Sequence, residues 1–174
     1  MLFFVTVMAA VCLQRFCELV LAARNARYVC ALGGVEIGAG HYKYIVLMHV
    51  CFFVSLMVEV LATGSASALP PWWGYSFGLF LAAQLLRYWC IQSLGRRWNT
   101  RILVIPGEAP LRRGPYRWLR HPNYIVVAIE LFTLPLTFSA VNTAVAFTLL
   151  NAWLLLRVRI PLEEKGVYEG EESS

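Results

Sequence analysis

Five apolar runs, Leu2 to Ala23, Tyr44 to Leu61, Trp72 to Ile91, Tyr124 to Phe138 and Val141 to Leu156, carry more hydrophobic surface than a water-soluble core of this size can hide. Hydrophobic residues make up 59% of the 174-residue chain and charged residues 14%, with a mean hydropathy of +0.62. Apolar runs of this length read as membrane-spanning helices. The expected fold is an all-α integral membrane protein with about five transmembrane helices. The first run is too long for a signal-peptide core and no small-residue cleavage site follows it, so it reads as a span. "TGSASALPPWWGY" before the third helix reads as a turn at the membrane interface. "TFSAVN" reads as the tight turn of a final helical hairpin.

Charge divides the two faces. Of the fifteen Lys and Arg residues, all but Arg15 lie at the ends of apolar runs or between them. The first connection carries Arg24, Arg27 and Lys43 and the connection after the second run no charge, whereas the third connection, counted from Arg87 near the end of its run, carries Arg87, Arg96, Arg97, Arg101, Arg112, Arg113, Arg117 and Arg120, and the tail carries Arg157, Arg159 and Lys165. The excess of positive charge on cytoplasmic loops therefore puts the N-terminus outside and the loop and short C-terminal tail inside. The same pattern accounts for the net charge of +5 by membrane orientation, with no nucleic acid as partner. Residues 1–92 read as three helices with short connections. Residues 93–174 read as a catalytic part made of loop, hairpin and tail. The five cysteines show no Cys-x-x-Cys pair and are expected as buried free thiols, with no metal site.

Two clusters meet at the cytoplasmic face. "GPYRWLRHPNY", residues 114–124, gathers a His and two Tyr just before the hairpin, and "RVRIPLEEK", residues 157–165, follows it. Arg159 and Glu163 share a face if the helix continues past Pro161, with Glu164 beside them. Helix starts after Pro122 and near Pro161 would offer free N–H groups to an anion. Arg or His for a carboxylate, Glu for an ammonium and a ribose diol, and aromatic faces for a cationic centre together suit S-adenosyl-L-methionine. No Gly-rich dinucleotide turn is present, so any nucleotide site is built from helix ends and loops.

These two motifs, in this order around a helical hairpin, resemble the isoprenylcysteine carboxyl methyltransferase family of membrane enzymes. The likeness covers about residues 95–168 and is closest to a bacterial branch associated with type III polyketide synthases, which implies an alkylpyrone or alkylresorcinol hydroxyl as the acceptor beside the family's prenylcysteine carboxylate. The resemblance implies a cofactor site lined by Tyr116, His121, Pro122, Asn123 and Tyr124, with Glu163 holding S-adenosyl-L-methionine and Leu111 in a loop folded over it. Arg159 matches the arginine that faces the acceptor. The implied setting is a bacterial cytoplasmic membrane, and the implied partners are a prenylated or other lipophilic acceptor and the bilayer. Family members often have a His where this chain has Glu108 and a Gly where it has Val126. Those departures count against a prenylated-protein substrate more than against methyl transfer.

A carboxylate acceptor needs only positioning, whereas a phenol or enol hydroxyl gains from a base. Glu130, inside the first hairpin helix, is the candidate, because an ionisable group there is costly. Its alternative is an ion pair with Arg157 or another basic group. Arg15 and Glu18 are expected to neutralise each other, and His49, Glu59 and Gln84 to form interhelical hydrogen bonds. An NADPH-dependent membrane reductase of the sterol-reductase type and a non-catalytic membrane scaffold remain the competing readings.

Overall fold

A computed structural model describes residues 1–167, so the end of the expected tail, residues 168–174, lies outside the described residues. Five long helices follow the five apolar runs: α1 (Leu2–Ala31), α2 (Ala39–Thr63), α3 (Trp73–Leu94), α4 (Pro122–Thr137) and α5 (Val141–Leu154). The chain then passes through a π-helical turn, Leu155–Arg159, into α6 (Ile160–Val167). Among the described residues, three stretches are long and apolar enough to cross a membrane: Leu2–Ala31, Ala39–Thr63 and Val141–Gly166. The shorter α4 is also apolar. Polar Gln84 and Arg87 dilute α3, which otherwise has the length of a span.

Packing is inside out relative to a soluble bundle only at the surface. Phe4, Met8, Phe52, Leu56, Val60, Phe80, Leu134 and Phe138 form the buried core. Leu13, Phe16, Val54, Leu85, Leu149 and Trp153 point outward, where lipid tails rather than water meet them. The cysteines follow that rule and correct the expectation of buried thiols: Cys12, Cys17, Cys30 and Cys51 are exposed on lipid-facing or end positions, and only Cys90 is buried. A thiol is apolar enough to face hydrocarbon as well as a core.

Helix α4 lies between α3 and α5, so the hairpin is clamped on both sides. Its turn is tight because Ser139 adopts a left-handed conformation, φ 56°, between Phe138 and Ala140. From α2, the Glu59 carboxylate accepts the backbone N–H groups of Asn142 (3.0 Å) and Thr143 (2.8 Å) and the Thr143 hydroxyl (2.6 Å). A carboxylate thus caps the first turn of α5 from another helix, satisfying donors that have no partner within it. Glu59→Ala is expected to cost about 1 kcal/mol, read as a fall of about 2–4 °C in melting temperature in detergent.

Two details differ from the sequence reading. Pro161 does not start a new helix. Proline removes one backbone donor and crowds the carbonyl four residues earlier, and the π-helical turn absorbs this while the helix runs on. The all-α expectation also gains a small β element. Val35 and Glu36 pair antiparallel with Val104 and Leu103, and Ile37 N–H donates to Ile102 C=O at 2.9 Å. This ties the α1–α2 connection to the loop that precedes α4.

Candidate functional site

Tyr124 stands in the first turn of α4, where Pro122 begins the helix and His121 precedes it. Its hydroxyl donates to the Glu163 carboxylate and accepts from Arg159 Nε at 2.8 Å. Arg159 Nη2 donates to Thr100 C=O at 2.5 Å, and the Thr100 and Tyr42 hydroxyls are 3.0 Å apart. The continuous helix through the π-helical turn puts Arg159 and Glu163 on one side, so a single phenol bridges a guanidinium and a carboxylate.

The His121 ring stacks on Tyr124 with centroids 5.3 Å apart and planes 12° off parallel. Its Nδ1 lies 3.6 Å from Glu163 and its Nε2 3.5 Å from Glu164. Neither ring nitrogen has a hydrogen-bond partner among the described residues, and neither has the buried Asn123 Oδ1. Glu163 foremost, and Glu164 with it, hold the His121 pKa above its ordinary value against the opposing effect of burial. A raised folded value means that the imidazolium stabilises the fold fully below the unfolded pKa of about 6.5 and loses that contribution as pH rises through the folded value. The wild-type protein is expected to lose melting temperature from pH 6 to 8 relative to His121→Gln; parallel curves would remove the charge from the account. Burial pushes the nearby Tyr116 phenol up, so Tyr116 stays a neutral hydrogen-bonding group.

Three cavities meet around these residues. A cleft of about 450 Å³ is lined by Leu111, Tyr116, Arg120 and Glu163. A smaller one of about 160 Å³ is bounded by Tyr116, His121, Asn123, Tyr124, Arg159 and Glu163. The third, of about 290 Å³ and mostly apolar, lies between the helices and reaches from Asn123, Tyr124 and Arg159 to Phe52, Phe80 and Leu134. Leu111, Tyr116, His121, Asn123, Tyr124, Arg159 and Glu163 thus line connected cavity walls, and Pro122 is buried at the helix start. Tyr124 and Arg159 stand where the apolar and polar spaces adjoin.

Glu130 lies deeper in the apolar cavity wall. Arg87 grips it with two nitrogens, Nε at 2.8 Å and Nη2 closer still, while Arg15 (3.2 Å) and Gln84 (2.7 Å) add donors. Glu18 joins through Arg15 (2.7 Å) and Arg87 (3.3 Å). The pairing with Arg157 does not form; the basic partners come from α1 and α3. Glu59 and Gln84 make interhelical bonds as expected, whereas the bond found for His49 is to Ile45 C=O in its own helix, at 2.8 Å.

Tyr42, Thr100 and Arg87 were not singled out by sequence. Tyr42 and Thr100 lie in an interface segment and a loop, with no spacing that links them to the hairpin. Arg87 near the end of a span has the ordinary look of a topology signal.

The profile described as "Isoprenylcysteine carboxyl methyltransferase (ICMT) family" matches residues 76–169. The chain is 42% identical over 161 residues to the uncharacterised protein YpbQ of Bacillus subtilis (strain 168), covering 92% of this chain and 94% of that one. It is 28% identical over 172 residues to an uncharacterised protein of Haemophilus influenzae, covering 96% of each. No solved structure matches it significantly. With both sequence motifs inside the matched region and apolar helices long enough to cross a bilayer, the chain is a membrane protein belonging to the isoprenylcysteine carboxyl methyltransferase family.

Proposed function

We propose that the chain is an S-adenosyl-L-methionine-dependent O-methyltransferase that draws a lipophilic acceptor from the bilayer. The observation that carries this reading is the Arg159–Tyr124–Glu163 cluster, set between an apolar interhelical cavity and a polar cleft. The polar side fits the cofactor. Asn123 Oδ1 is buried with no hydrogen-bond partner among the described residues, the His121 nitrogens face Glu163 and Glu164 beyond hydrogen-bond distance, and Tyr116 and Tyr124 supply aromatic faces. The cleft's volume also falls within the range of small-molecule sites.

When bound, S-adenosyl-L-methionine supplies an activated methyl group on a cationic sulfur. The residues around it have the remaining tasks of alignment and water exclusion. His121 as imidazolium would hold a carboxylate, and Glu163 an ammonium or diol. Arg159, fixed by Tyr124 and Thr100, would turn an anionic acceptor oxygen toward the cleft. Leu111 would close the loop side, and the apolar wall would hold the tail.

The arrangement suits five spans with the N-terminus outside, because the Arg-rich loop and the segment from Arg157 to Lys165 gather at one end of the bundle. Uncharged connections and the Ser139 turn occupy the other. For the acceptor, an alkylpyrone or alkylresorcinol hydroxyl suits the departures at Glu108 and Val126 better than a prenylcysteine carboxylate.

The test incubates detergent-solubilised protein with methyl-labelled S-adenosyl-L-methionine and either a prenylcysteine or an alkylpyrone. Label is expected in the alkylpyrone. S-adenosylhomocysteine at a hundred times its dissociation constant is expected to add about 2.7 kcal/mol of stability, and NADPH none. Stabilisation by NADPH would replace this reading with a reductase, and stabilisation by neither with a scaffold.

A further inference from the structure

Most polar groups that line the apolar cavity are hydrogen-bonded: Tyr42, Thr100, Tyr124 and Arg159 are linked to one another, and His49 bonds to Ile45 C=O. Arg15, Glu18, Arg87 and Glu130 satisfy one another. Three others hold a buried polar atom with no partner among the described residues: Trp98 Nε1, Asn123 Oδ1 and Asn151 Nδ2. Trp98 and Asn123 lie near the cytoplasmic end, where α3 leads into the loop and α4 begins. Asn151 does not. It lies inside α5, only 3% exposed, two turns before Arg159 and roughly 12 Å from it along the helix axis.

An amide with an unmade hydrogen bond inside an apolar bundle is costly, and neighbouring helices ordinarily supply a partner. Asn151 Nδ2 has no such partner among the described residues: Phe52, Val127 and Leu154 on the cavity wall offer none, and His49, which also lines it, bonds to Ile45 C=O in its own helix. A purely alkyl ligand would leave the donor unsatisfied, whereas an oxygen at that depth would satisfy it. The cavity is therefore not built for a plain hydrocarbon tail.

We propose that Asn151 determines acceptor specificity by donating a hydrogen bond to a second oxygen, carried on the acceptor's apolar portion roughly 10 Å from the oxygen that is methylated. The inference rests on the reading of this cavity as the acceptor site. It names the substrate class more narrowly: a lipid with a polar head at Arg159 and a carbonyl or similar acceptor oxygen within its tail. Sites built to hydrogen-bond a substrate oxygen discriminate strongly against analogues that lack it, because the site is then left with an unpaired polar group.

The probes are two alkylresorcinols with the same long chain, one plain and one with a ketone about eight bonds from a phenol oxygen. Binding is read by thermal-shift titration and turnover by methyl label, for the wild type, Asn151→Leu and Asn151→Gln. The wild type is expected to favour the ketone at least about tenfold in both readouts. Asn151→Leu removes that preference and binds the plain chain at least as well as the wild type does, while Asn151→Gln, which keeps the amide, retains a ketone preference. Melting temperatures in the absence of lipid confirm that each variant is folded. A wild type with no preference, or with no binding of either probe, overturns the inference, and so does a preference that survives in Asn151→Leu. Discrimination in binding without any methyl transfer leaves Asn151 in its role and removes the methyltransferase reading. Transfer without discrimination does the reverse.

Discussion

Glu163→Gln is expected to lower turnover by one to two orders of magnitude and to abolish stabilisation by S-adenosylhomocysteine. The reason lies in the Tyr124 hydroxyl, which donates to Glu163 while accepting from Arg159. A carboxylate can only accept, so it fixes which way the phenol proton points. Glutamine offers an N–H in place of one acceptor, loses the charge facing His121 at 3.6 Å and frees the phenol to turn. Hydrogen bonds to charged groups contribute about 1.5–3 kcal/mol each, which sets the size of the loss. Arg159→Lys should divide the effects differently. Lysine keeps the charge but not the planar fork that reaches Tyr124 and Thr100 together. Stabilisation by S-adenosylhomocysteine should then survive while kcat/KM for the acceptor falls. Equal losses in both measurements for both variants would merge the two residues into one structural unit and remove the division between cofactor side and acceptor side.

The parts of this site that could be read from sequence are those whose signals are local. His121, Pro122, Asn123 and Tyr124 form one helix start, and Arg159 and Glu163 lie a turn apart, so each half is visible within a short window. Helix lengths followed from the apolar runs for the same reason, although α1 extends through Ala31 because Arg24 and Arg27 are good helix formers at a membrane edge. What sequence could not supply is the partner of each buried charge. Glu130 has basic residues on three other segments within conceivable reach, and only the packing of α3 along α4 selects Arg87 over Arg157. Thr100 enters through its backbone carbonyl, which no side-chain pattern reveals. Asn151 carries no signal of its own in the sequence, because an Asn within a span ordinarily finds an interhelical hydrogen bond and only the packing reveals that its Nδ2 has none among the described residues.

Glu130→Ala or Arg87→Ala alone is expected to destabilise the fold by about 3–5 kcal/mol, because each leaves an uncompensated charge in a low-dielectric bundle. At about 2–4 °C per kcal/mol for a chain of this size, either variant should melt roughly 6–20 °C below the wild type. The double replacement Arg87→Met with Glu130→Met should recover most of that loss. It removes one charge of each sign and leaves Arg15 paired with Glu18 at 2.7 Å, a balanced remainder with Gln14 and Gln84 hydrogen-bonded beside it. Large single losses with a small double loss are the mark of two groups that act through each other, and a thermodynamic cycle measures the coupling. Activity of the same double variant addresses the chemistry. Glu130 accepts from Arg87, Arg15 and Gln84, and those donors occupy the lone pairs a base would use. Turnover per folded molecule is therefore expected to persist within about tenfold on a hydroxyl acceptor, less than a general base typically contributes. A double variant that folds like the wild type yet transfers no methyl group would instead assign the proton abstraction to Glu130, with Arg87 as the group that holds it in place.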